Sequence, residues 1–201
     1  MFRIILLFIA STTSLQSLEW LENDAHIQKL LLDEVNLQRS LVGVKPLVWW
    51  KTLEQVATEH NQNMVEHKFF SHTSPLPGGE NLESRLAKWG ITQGWMGENL
   101  AKISALIVEK GVFVFPPSVT GGGFRHQIEG ADLEPHSPAS AVHALVEQLM
   151  ASPTHRANLL HPGFRSMGAK IIVFENLDAY GLPYLLLTQI FSSSTGGAQR
   201  E

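Results

Sequence analysis

The segment Ser152-Pro153-Thr154-His155-Arg156-Ala157-Asn158-Leu159-Leu160 carries a helix start in its first two residues. Ser152 is a natural N-cap, and Pro153 falls at the first helical position, where its missing N–H leaves nothing unpaired. His155 then lies in the first turn. There the positive end of the helix dipole disfavours imidazolium and keeps a nitrogen lone pair available. Ser137-Pro138, just upstream, repeats the same signal, and Val142, Leu145, Val146 and Leu149 give that helix one apolar face. Downstream, the runs 167–174 and 184–191 read as strands, with Asn176, Asp178 and Gly181 between them as a hairpin loop.

Toward the N-terminus, Ile27, Leu31, Val35 and Val42 recur at helical spacing, Leu30 and Leu41 widen the stripe, and Gly43 with Pro46 ends it. A second helix is expected over 51–67, with Leu53, Val56, Ala57, His60 and Met64 on its inward face. Ser74-Pro75 and Pro77-Gly78-Gly79 mark a loop; 82–89 is a short helix closed by Gly90, and 95–100 a strand-like segment. The pattern changes over 102–137. The run 105–115, with Ile107, Val108, Val112, Phe113, Val114 and Phe115 and a turn at Lys110-Gly111, has strand composition. Pro116-Pro117 and Gly121-Gly122-Gly123 follow it. The expectation is an inserted flap or hairpin over 105–115 near the functional cleft, with 116–135 looping outward.

The chain of 201 residues has 44% apolar and 17% charged residues and no Cys, the balance of a folded globular chain without a disulfide framework. A formal charge of −4 and the absence of any Lys/Arg run exclude a nucleic-acid partner. Arg3 before Ile4-Ile5-Leu6-Leu7-Phe8-Ile9-Ala10 and a small polar stretch reads as a signal peptide over 1–17. That run is too short for a bilayer span, which takes about 20 residues. A secreted or periplasmic bacterial protein is expected, with one domain over 18–192 and a polar tail over 193–201.

Nine His invite a metal-site reading. His26, His126, His136, His143 and His161 fall on polar faces or in loops. His60, on an apolar helix face, is either a buried hydrogen-bonded residue or a ligand. There is no H-E-x-x-H, no G-x-S-x-G, no Cys nucleophile and no phosphate-binding Gly loop, so no catalytic residue is assigned.

Four segments in order, Phe69-Phe70-Ser71-His72, Gly97-Glu98-Asn99-Leu100, 152–160 and Thr188-Gln189-Ile190-Phe191, follow Ala57-x-x-His60-x-x-x-Met64. Together they resemble the bacterial branch of the CAP superfamily, also called SCP-like: cysteine-rich secretory proteins, antigen 5 and pathogenesis-related proteins. The resemblance covers about residues 26–192. It implies an α+β fold, an α-β-α sandwich around a mostly antiparallel sheet, with a cleft of two His and up to two acidic residues. Position by position, His72 and His155 match the cleft His and Glu98 the first cleft Glu. The second Glu is missing: Leu149 and Ser152 stand where eukaryotic members have a Trp and that Glu, and Glu147 is the nearest substitute. His60, Ser152 and Asn99 are further accessory candidates.

His72, Glu98 and His155 are ligand types that zinc and similar divalent ions accept, and the three are expected within about 8 Å of one another. The leading expectation is a monomeric, non-enzymatic exported module, with a divalent metal (zinc before others) in the cleft and an apolar surface for a lipid or protein ligand, the lipid being implied by the family alone. The alternative is a metal-dependent hydrolase with His72 and His155 as ligands and Glu98 as base.

Overall fold

The computed structural model describes residues 18–196; the expected signal peptide and the end of the tail lie outside the described residues. Helix α1 (Asp24–Leu41) starts where the Asn23 side chain accepts from the His26 N–H. It buries Ile27, Leu31, Val35 and Arg39, a strict four-residue spacing. That spacing corrects the apolar stripe expected from sequence: Leu41 and Val42 are exposed, and Arg39 takes the inward position of the last turn. Gly43, at φ +71°, closes the helix.

A two-residue strand β1 (Val48–Trp49) precedes α2 (Lys51–Glu66), whose inward face carries the five residues expected, joined by Glu54 and Asn61. Helix α3 (Leu82–Ala87) opens on a reciprocal cap between Asn81 and Ser84. Strand β2 (Met96–Ser104) leads into the insertion, and α4 (Pro138–Ala151) begins as expected, with the Ser137 side chain accepting from the Ser140 N–H. Helix α5 (Pro153–Leu159) starts at Pro153, although the Ser152 hydroxyl makes no capping bond. The hairpin strands β3 (Ser166–Asn176) and β4 (Leu182–Ser192) finish the fold.

The sheet order is β1-β3-β4-β2, antiparallel except for β1, which runs parallel to β3. Strand periodicity sorts the core. Odd residues (Ala101, Met167, Ile171, Leu185, Leu187, Phe191) pack with α1, α4 and α5; even ones (Leu100, Leu186, Ile190) pack under α2 and α3. This is the α-β-α sandwich that the resemblance implies. Among the described residues no helix is long and apolar enough to cross a membrane.

Helix α2 lies almost on the sheet at Gly168, where an added Cβ would sit 2.2 Å from the Glu54 nitrogen and 2.6 Å from the Leu53 carbonyl carbon. Neither is the flexible end of a side chain, so Gly168→Ala must push α2 away. A loss of about 3 kcal/mol is expected, read as a lowered urea midpoint with an unchanged slope.

The insertion departs from expectation. Residues 105–115 form no strand; isolated bridges join Leu106 to Pro135 and Phe115 to Arg125, and Pro117–Thr120 makes one helical turn. The cause is a missing partner. The β2 ladder runs out where Ala105 meets Pro183, and the neighbouring segment offers Pro116, Pro117 and Pro135, which have no N–H to donate. Lys110-Gly111 does turn, with Gly111 at φ +79°. The segment leaves the sheet six residues past Glu98, roughly 20 Å along the strand. Among the described residues no hydrogen bond joins 105–136 to the cleft segments 71–81 and 152–158.

Candidate functional site

Glu98 is an even residue of β2 and points to the α2/α3 face, where it is 8% exposed. Its two oxygens have separate partners. The His72 Nδ1–H donates to Oε1 at 2.8 Å, and Arg85 Nη2 donates to Oε2 at 2.6 Å. Arg85 Nη1 also donates to the carbonyls of His72 (3.1 Å) and Gly79 (3.3 Å), so one guanidinium fixes both the carboxylate and the loop that carries His72. Burial by itself would raise the Glu98 pKa. The His72 hydrogen bond and the Arg85 charge, helped by His60, outweigh burial and hold the carboxyl below the ordinary carboxylate range.

His60 lies under the same loop, fully buried on α2. Its Nε2–H donates to the Ser71 carbonyl at 3.1 Å, and its ring packs 5.9 Å from that of Phe69. Burial lowers its pKa, opposed by Glu98. His60 is thus a structural prop for the residue before His72, and of its two sequence readings the buried hydrogen-bonded one describes it.

His155 comes from the other layer. The Asn99 amide donates to the His155 carbonyl at 3.1 Å; the Asn158 amide donates to the Glu98 carbonyl at 3.1 Å and to Asn99 Oδ1 at 2.9 Å. The buried Asn99 amide and the half-buried Asn158 amide therefore stitch the start of α5 to β2 beside Glu98, and Asn99 is a positioning residue. Burial first, then the neighbouring His72, lowers the His155 pKa, which keeps its imidazole neutral at neutral pH. Ser152 contacts Thr154 Oγ1 at 3.3 Å, and Glu147 is exposed on α4 with no hydrogen bond to a cleft group.

The structure thus joins His72 to Glu98 directly and anchors His155 beside them. It does not offer Glu98 as a free ligand: among the described residues, no group of three or more His, Asp or Glu side chains could hold a metal ion. A zinc site with three or four protein ligands does not fit these residues. What remains is two imidazoles, with Glu98 orienting His72 as carboxylates orient metal-binding His. Glu98 is also poorly set up as a general base, since both oxygens accept hydrogen bonds and its pKa lies far from neutrality. Of the loop His, His126 is held within the insertion by Phe113 and Glu109, and His136 is tied to Ser140 of α4. Sequence reasoning missed Arg85 and Asn158; an Arg in an Asn-capped helix and an Asn within α5 carry no local signal of a buried role.

A family model described as the cysteine-rich secretory protein family, CAP, matches residues 32–191. A stretch of 83 residues, 41% of this chain, is 31% identical to the uncharacterized membrane protein YlbC of Bacillus subtilis (strain 168), of which it spans only 23%. An extracellular protein containing a SCP domain from Bacillus anthracis str. Ames is similar over 84% of this chain and 40% of that one, at 21% identity and a TM-score of 0.54. An outer surface protein of Borrelia burgdorferi is similar over 82% of this chain and 90% of that one, at 18% identity and a TM-score of 0.51. At these identities the structural likeness is one of fold.

Proposed function

Because the chain belongs to the cysteine-rich secretory protein (CAP) family, we propose that it is an exported, non-enzymatic binding module. Its cleft around His72, Glu98 and His155 presents an ordered polar surface, and an apolar ligand or partner is taken elsewhere on the domain. The observation that carries this reading is the clamp on Glu98: a carboxylate bonded on one side by His72 and on the other by a buried Arg85 orients its neighbours and does not abstract protons. Export is supported by the sequence of residues 1–17 and by the extracellular and outer-surface proteins that share the fold. A divalent ion is proposed as a weakly held ligand of His72 and His155, with Glu98 behind His72.

Calorimetric titration with Zn²⁺, Ca²⁺ and Mg²⁺ tests the ion. Zinc should bind with one site, and His72→Ala or His155→Ala should each weaken it at least about tenfold, since each removes one of only two imidazoles. His143→Ala, on an exposed face of α4 beside Glu34, should change nothing. Equal losses in all three variants would mean that the His content binds zinc without a site.

A further inference from the structure

A concavity of about 350 Å³ opens on the α2 side of the sheet, beyond the last turn of α2. Met64, Phe69, Phe70, Phe174 and Leu186 line it, with Lys102 at its β2 side. It exists because β3 and β4 run 11 residues each and outlast the helix that covers them, while Lys68, at φ +53°, turns the chain back after α2. Phe70 is 44% exposed, and the Lys102 ammonium sits 4.9 Å above its ring centroid. Among the described residues Lys102 forms no ion pair.

The same part of β2 is an open edge. β2 ends the strand order, so among the described residues no strand pairs with its outer side. The Ala105 N–H donates to the Pro183 carbonyl and the Ser193 N–H to the Trp95 carbonyl, both in the register that sets Met96 against Ser192. In an antiparallel ladder, residues that exchange bonds with the partner alternate with residues that face away. Odd residues of β2 therefore bond β4, and the N–H and C=O of Leu100, Lys102 and Ser104 point outward. The Glu98 carbonyl confirms that direction: it accepts from Asn158 on α5, which closes the edge at that end. No backbone group outside the sheet bonds the other three among the described residues.

We propose that this edge receives an extended segment of another polypeptide, which adds as a fifth strand along the half-exposed residues 102–104. Backbone bonds to Lys102 and Ser104 supply the attachment, and alternate side chains supply the selection. Residues directly opposite one another share a face. An acidic residue opposite Lys102 would meet the unpaired ammonium, and a large apolar residue opposite Ser104 would enter the concavity beside Phe70. A second copy of this chain is a poor occupant. A two-fold axis at Lys102 sets two ammonium groups directly opposite each other, one at Ile103 sets each ammonium opposite a Ser104 and gives it no counter-charge, and one nearer Leu100 runs each copy into the closure at Glu98.

The test is an NMR titration of the ¹⁵N-labelled protein with a capped heptapeptide, Thr-Leu-Thr-Glu-Thr-Phe-Thr. Saturating shifts are expected at the amides of Lys102, Ser104 and Phe70. Replacing the peptide's Glu by Lys should weaken binding about fivefold, the order of one opposite-charge cross-strand pair. N-methylation of the peptide amides that face β2 should abolish binding. An N-methylated peptide that binds as well as the parent overturns the proposal, because the concavity would then be taking a merely apolar ligand. Absence of shifts over 102–104 overturns it too, leaving Lys102 as a guard against edge pairing. Lys102→Pro offers a second arm: the lost N–H faces away from β4, so the fold should survive and peptide binding should not. Zinc calorimetry on Lys102→Pro should match the parent protein, which keeps this site and the His72/His155 site separately testable.

Discussion

Arg39→Ala should lower the melting temperature by about 10 °C, one of the two largest single-residue effects expected in this protein. Arg39 is fully buried at the end of α1, and its guanidinium donates to four carbonyls: Lys45 at 2.8 Å, Leu159 at 2.7 Å, His161 at 3.2 Å and Phe164 at 3.4 Å. Truncation leaves the Lys45 and Leu159 carbonyls without a donor, removes one of two donors from the His161 and Phe164 carbonyls, and opens a cavity, a combined cost of about 4 kcal/mol. For a domain of this size each kcal/mol moves the melting temperature by about 2–4 °C. Arg39→Lys should recover only a small part, since an ammonium cannot reach acceptors spread over the loop after α1 and the end of α5. A melting temperature within about 2 °C of the parent for Arg39→Ala would show that these carbonyls are satisfied some other way.

Glu98→Ala should cost a comparable amount, about 4 kcal/mol, because it strands Arg85, whose side chain is 3% exposed, without a counter-charge. Replacing both partners, as in Glu98→Leu with Arg85→Met, should regain most of that loss, since a buried pair can be exchanged for apolar packing but not halved. The pH dependence has a definite sign. The folded Glu98 pKa lies below its unfolded value. Its contribution is therefore complete above the unfolded carboxyl pKa, about 4.3, and is lost as the pH falls through the folded one. Urea unfolding of parent and Glu98→Ala should show a constant gap from about pH 6 to 8, closing below about pH 4. A gap that closes between pH 8 and 6 would assign the effect to histidine titration instead.

Much of this fold was legible because the deciding signals are local. Ser-Pro at 137–138 and 152–153 begins two helices where expected, and the face of α2 from Leu53 to Met64 is the buried one. The hairpin strands extend the apolar runs 167–174 and 184–191 by only one or two residues at each end, since runs flanking Asn176 and Gly181 leave little choice. What escaped was non-local. Arg39 was invisible because an Arg on an inward stripe is explained only by the carbonyls of a segment 120 residues away. β1 is two residues long and owes its existence to β3. Residues 105–115 have strand composition, yet composition cannot say that β4 ends at Leu182 and leaves them without a partner. Motif order singles out His72, Glu98 and His155, whereas the occupation of both Glu98 oxygens depends on Arg85 from a helix with no motif.

Phe69 and Phe70 wall the concavity, the Ser71 carbonyl rests on His60, and His72 holds Glu98. Four consecutive residues thus belong to two sites, with one buried imidazole as their fulcrum. Thermodynamic linkage then imposes a symmetry on the domain: whatever free energy a molecule in the concavity transfers to the cleft through this tether, a molecule in the cleft must transfer back in equal measure.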